Sequence, residues 1–131
     1  MAAPDAPLIL LVCGGRHYAD TDAVNRALAT ASPAIVVTGA CPTGADRHAA
    51  DWCQNNGVPL IQVPALWVSE GNAAGPLRNA RMLNYSRTLM YALKADEMRF
   101  GVCAFPGGRG TASMVQLATD AKCRVWRPKG E

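Results

Sequence analysis

The chain has 131 residues, half of them apolar and 18% charged, with a formal net charge of +3. That length suits one domain with a core of its own, and no apolar run reaches the roughly 18 to 20 residues that cross a bilayer. The 13 basic residues are scattered rather than massed, which permits a nucleic-acid partner without favouring one. Five cysteines with no C-x-x-C pair give neither a disulfide frame nor a zinc site. His17 and His48 have no second ligand at metal spacing, so no metal is expected.

In chain order, the apolar run at 8–12 lacks a preceding basic residue and is shorter than a signal-peptide core. It reads as the first strand, over 8–13, of an untargeted cytoplasmic protein. A helical pattern over 21–30 follows, with Asp20 or Thr21 as its cap, and then a second strand over 34–39, "AIVVTG". Residues 44–56 have helical spacing and close on Gly57. A third strand, "PLIQVP", covers 59–64, and 63–75 is the longest irregular stretch. A long helix over 77–93, a strand over 100–105, a helix over 111–121 and a last short strand over 123–126 complete the series. Several strands are apolar on both faces, as buried parallel strands are. Alternating strand and helix predict an α/β domain with a mostly parallel sheet of about five strands.

In such a sheet ligands bind beyond the carboxyl ends of the strands, and the informative residues fall there. Strand one leads into "GGRHY" (Gly14, Gly15, Arg16), strand two into "TGACPTGAD" (Thr38, Gly39, Gly44, Asp46), strand three into "PALW" (Trp67), and strand four into "PGGRGT" (Pro106, Gly107, Gly108, Arg109, Gly110, Thr111). Two of these glycine loops open directly into helices. Free N–H groups and a partial positive charge at a helix start favour phosphate, and glycine lets the backbone approach it. Neither loop is a Walker A or a strict G-x-G-x-x-G, so kinase and dehydrogenase readings lose weight.

The ordered set "CGGRHY", "VVTGACPTGADRHAADWC", "VPALW", "GNAAGPLRNARML" and "FPGGRGTASMVQLA" resembles the YpsA-related branch of the SLOG superfamily. That superfamily includes the Lonely guy phosphoribohydrolases, the Rossmann domain of DNA-processing protein A, and sensors of nucleotide-derived signals. The resemblance spans about 8–128. It implies a single Rossmann-like three-layer domain over 1–131, a pocket for a nucleotide-like small molecule, and a homodimer, for which the long helix offers a surface. "PGGRGT" matches the Lonely guy signature, so Gly107, Gly108, Gly110 and Thr111 would hold phosphate. "RNARM" matches the Arg-x-x-x-Met of their second motif, which puts Arg78, with its neighbour Asn79, at the ligand. Those hydrolases carry a glutamate three residues after the signature threonine, where this chain has Met114. A thioether neither accepts a proton nor carries charge, which counts against hydrolysis by that route.

Asp46 either meets a ribose hydroxyl, pairs with Arg16 or Arg78, or charges its helix start; Glu70 and Asp96 have weaker claims. Trp67 either stacks on a base or plugs its loop, and Cys41 lies before a helix start without a histidine base beside it. Arg81 and Arg87 read as surface. Three functions follow: a sensor or sponge for a nucleotide, ADP-ribose-like or cyclic nucleotide signal in bacterial or phage conflict; a nucleoside-monophosphate phosphoribohydrolase or N-glycosidase using Asp46 or another carboxylate; or single-stranded DNA binding. No cofactor is called for.

Overall fold

The computed structural model describes residues 6–93 and 98–128; Asp96 lies outside them. Five strands alternate with helices in chain order: β1 (Leu8–Cys13), α1 (Thr21–Ala31), β2 (Ile35–Thr38), α2 (Gly44–Asn56), β3 (Leu60–Gln62), α3 (Trp67–Glu70), α4 (Ala74–Ala92), β4 (Arg99–Ala104), α5 (Arg109–Asp120) and β5 (Arg124–Trp126). Every pairing is parallel and the order across the sheet is β3-β2-β1-β4-β5. The sheet is therefore wholly parallel, and the direction of winding reverses between β1 and β4.

The apolar run of β1 explains the layering. Successive strand residues face opposite ways. Ile9, Leu11 and Cys13 join the core with Met82 and Leu83 of α4 and Met114 and Ala118 of α5. Leu10 and Val12 join Val24, Ala27 and Leu28 of α1 and Ala45, Ala49 and Cys53 of α2. Two helical layers thus enclose the central strand, which must be apolar on both sides; this is the three-layer Rossmann-like fold.

Local chemistry sets the helix ends. Asp20 caps α1 by accepting from the Ala23 amide at 2.9 Å, a contact of about 1 kcal/mol. Gly57 ends α2 in the left-handed region at φ +66°, as expected of a glycine there. The stretch 63–75 departs from the irregular segment expected: it holds α3, a 3-10 turn (Gly71–Ala73) and the start of α4, three residues ahead of the expected Leu77. Gly75 and Pro76 look like breakers in sequence, yet both fit a first helical turn, where no intrahelical donor is required. Likewise α5 begins at Arg109 rather than Thr111. Among the described residues no helix is long and apolar enough to cross a membrane.

Candidate functional site

The β1/β4 reversal leaves a cleft of about 610 Å³ at the carboxyl ends of the strands, the place where open α/β sheets receive ligands. Three loops form it. Gly14, Gly15, Arg16, His17 and Tyr18 come from β1; Gly39, Cys41 and Asp46 from β2 and the start of α2; Pro106, Gly107, Gly108 and Gly110 from β4 and the start of α5. Arg78, Asn79 and Met82 close it from α4.

The loop after β1 is held on both sides. Gly15 donates its amide to Pro106 O at 2.9 Å, while its carbonyl accepts from Ala45 N at 3.2 Å. Thr43 Oγ1 donates to Arg16 O at 2.7 Å, and His48, whose Nδ1 lies 3.3 Å from Thr21 Oγ1, donates from Nε2 to Tyr18 O at 3.0 Å. Glycines make this packing possible: a Cβ at Gly44, already at φ +70°, would stand 2.1 Å from Gly15 O, and one at Gly107 would stand 2.6 Å from Gly15 N. Tyr18 stacks on Phe105 with ring centroids 5.4 Å apart.

The two glycine-started helices consequently differ. The first turn of α2 points into the protein's own Gly15 carbonyl, and Gly44 lies behind the cleft wall rather than on it. At α2, where a helix start favours phosphate, a backbone carbonyl takes the place of an anion at the Ala45 amide. At α5 the ladder begins with Ala112 N to Gly108 O at 3.1 Å, and the preceding amides belong to the first turn, which has no partners within the helix. Gly107, Gly108 and Gly110 of this start line the cleft; Arg109 is exposed and Thr111 is buried, and neither lines it.

From α4, Arg78 reaches the loop that follows β2. Its Nη1 donates to Gly39 O at 2.5 Å and its Nε to Asn79 Oδ1 at 3.0 Å. Asn79, buried, donates in turn from Nδ2 to Gly110 O at 3.1 Å, which ties α4 to the start of α5. Asp46 is buried at the floor, accepting from Cys41 N at 3.1 Å. Burial raises its carboxyl above the ordinary range, while the amides of Cys41 and Gly39 and the charge of Arg78 oppose that rise. Burial also pushes the Cys13 thiol up to about 12, with the charge of Asp46 adding to the effect.

Other expected site residues fall elsewhere. Thr38 is fully buried, its Oγ1 accepting from Ala40 N at 3.3 Å. Trp67 is exposed on α3, away from the cleft lining, and packs beside Gly75. Glu70 is paired with Arg81 through both carboxylate oxygens. Met114 is fully buried under the sheet, outside the lining. Conversely, His17 and Tyr18 line the cleft although sequence gave no reason to select them beyond adjacency to the glycines. Among the described residues no group of three or more His, Cys, Asp or Glu is arranged to hold a metal.

An all-parallel, doubly wound sheet with a ligand-sized cleft at its reversal, walled by glycine loops, defines a Rossmann-like α/β domain. The family model described as YspA, cpYpsA-related SLOG family matches residues 8–69, from β1 into α3. Over that segment the chain is similar to this YpsA-related branch of the SLOG superfamily, which its motifs also resemble. No curated protein gives a significant match.

Proposed function

We propose that the protein binds a phosphorylated nucleoside compound, such as a nucleotide, an ADP-ribose-like molecule or a cyclic nucleotide, and acts as its sensor or sponge. The observation that carries this reading is that the α5 start, Arg78 and Asp46 line one cleft. Phosphate oxygens suit the first-turn amides and the guanidinium; a ribose hydroxyl suits the carboxylate as a donor. The volume is that of a small-molecule site. Similarity to the SLOG family over residues 8–69 supports a nucleotide-related ligand.

Capture without turnover is favoured by Met114, which leaves no carboxylate at that position of α5. The N-glycosidase reading draws support from one feature: a buried carboxyl with a raised pKa at the cleft floor can serve as a general acid. The same experiment separates the two. Mass spectrometry identifies the ligand that co-purifies, calorimetry measures AMP and ADP-ribose binding, and chromatography looks for free base. Binding lost in Arg78→Ala with no base released supports capture. Release of base that depends on Arg78 and Asp46 replaces capture with hydrolysis.

A homodimer built on α4 fits the distribution of exposed apolar side chains. Leu66, Trp67, Val68, Leu77, Tyr85, Tyr91 and Leu93, exposed large apolar side chains, all lie on α3, α4 or their flanks, and a partner covering them would remove apolar surface from water.

A further inference from the structure

The strand register carries one more cation to the rim. Cys13 of β1 pairs with Ala104 of β4, and Cys103 pairs with Trp126 of β5. Residue 127 therefore comes level with Ala104, and Cys13, Ala104 and Arg127 form a row across three adjacent strands. Strands lie about 4.8 Å apart, so the backbone at the two ends of the row is separated by about 10 Å, a gap that an extended arginine side chain largely covers.

Alternation fixes the side. Cys13, Ala104 and Val125 all pack with α4 and α5, so residue 127, two beyond Val125, leaves the strand on that same side. Arg124, one residue before Val125, takes the opposite side. The first turn of α5 rises from the end of β4 between the Cys13 and Arg127 positions. Arg127 is exposed and lies outside the cleft lining itself, on the far side of α5 from Cys13, which lines it; its charge counteracts the rise of the Cys13 thiol.

We infer that Arg127 is an anion-binding residue of this cleft, meeting the ligand's phosphate from the β5 side of α5 while Arg78 meets it from the β2 side. This rests on the nucleotide reading above and narrows it to ligands that present a phosphate with several free oxygens, a phosphomonoester or a diphosphate. Sequence gave no sign of it, because Arg127 follows a short strand and belongs to no glycine motif.

The test is calorimetry with AMP, inorganic pyrophosphate and adenosine on the intact chain and on Arg127→Ala, Arg124→Ala and Arg78→Ala, with melting temperatures alongside. Arg127→Ala is expected to weaken AMP and pyrophosphate about tenfold, the value of one charged hydrogen bond, and to leave the melting temperature unchanged. Arg124→Ala, on the other side of the same strand, is expected to bind like the parent. If Arg127→Ala matches Arg124→Ala while Arg78→Ala loses binding, Arg127 has no such role and the nucleotide reading stands. If the parent chain binds none of the phosphorylated probes, the nucleotide reading falls and this inference falls with it.

Discussion

The Arg78 guanidinium sits 2.5 Å from the carbonyl of Gly39, and it can do so only because residue 39 has no side chain. A Cβ there would stand 2.4 Å from Nη1 and 2.8 Å from Cζ of Arg78. Those atoms end a flexible side chain, so Gly39→Ala is expected to fold with little loss of stability while turning Arg78 away from the cleft. AMP affinity should drop roughly tenfold, about as far as in Arg78→Ala. Calorimetry on the two variants checks this; an unchanged affinity in Gly39→Ala would show that Arg78 acts from another position.

Gly44 and Gly57 both have positive φ, +70° and +66°, but different surroundings: backbone of Gly15 and Arg16 crowds the first, and nothing lies within 4 Å of the second. Replacing Gly57 by alanine should cost about 1 kcal/mol for conformation alone. Gly44→Ala should cost at least about 2 kcal/mol, since backbone must move as well. Urea denaturation gives the comparison, and equal losses would mean that the contact between α2 and the β1 loop is soft.

Asp46 has a folded-state pKa above its ordinary value, chiefly through burial. The native state thus holds its proton longer than the unfolded chain does, so this group's contribution to stability is fully present below about pH 3.9, its unfolded value, and declines as pH rises through the folded pKa. Asp46→Asn retains an acceptor for Cys41 N and removes the titration. Its melting temperature should fall less than the parent's between pH 4 and pH 7, and exceed it at pH 7. The same variant should lose affinity for a ribose-bearing ligand. A parent more stable than Asp46→Asn at neutral pH would mean that the carboxylate is well solvated or well paired.

Met114 stands where the resemblance to the Lonely guy hydrolases implies a glutamate, and it is fully buried among apolar side chains. Met114→Glu is expected to destabilise the fold by about 3 kcal/mol or more, the cost of an unpaired buried charge, and not to release base from AMP. Circular dichroism and a base-release assay read the two effects. A stable variant with new hydrolytic activity would place residue 114 at the cleft after all.

The thiols divide by burial: it pushes Cys13 and Cys103 up to about 12 and Cys53 up to about 11, whereas Cys41 and Cys123 are partly exposed. Iodoacetamide at pH 8 should add quickly at Cys41 and Cys123 and slowly at the others, because the thiolate is the reactive form. Peptide mapping after a short exposure tests it; rapid labelling of Cys13 would mean that the cleft floor opens readily.

The strands were legible because a centrally buried parallel strand has to be apolar on both faces, and "LILLVC" has few other readings. The start of α4 was not, since Gly75 and Pro76 act as breakers inside a helix and are harmless in its opening turn. At the site, glycine loops announced the cleft walls, but which side of each loop faces the ligand depends on packing. Gly44 looked equivalent to Gly108 in sequence; only the Gly15 carbonyl docked on α2 separates them. The role proposed for Arg127 was invisible for a related reason, because it follows from the sheet register that ends at Trp126 and not from sequence proximity.

The four tethers on the segment between β1 and α1, at Gly15, Arg16 and Tyr18, also bear on speed. A wall already fastened on both sides needs no rearrangement when a ligand arrives, so little ordering entropy is charged to the encounter. Association should then be a single fast phase that scales linearly with concentration, with dissociation alone setting how long a signal is retained.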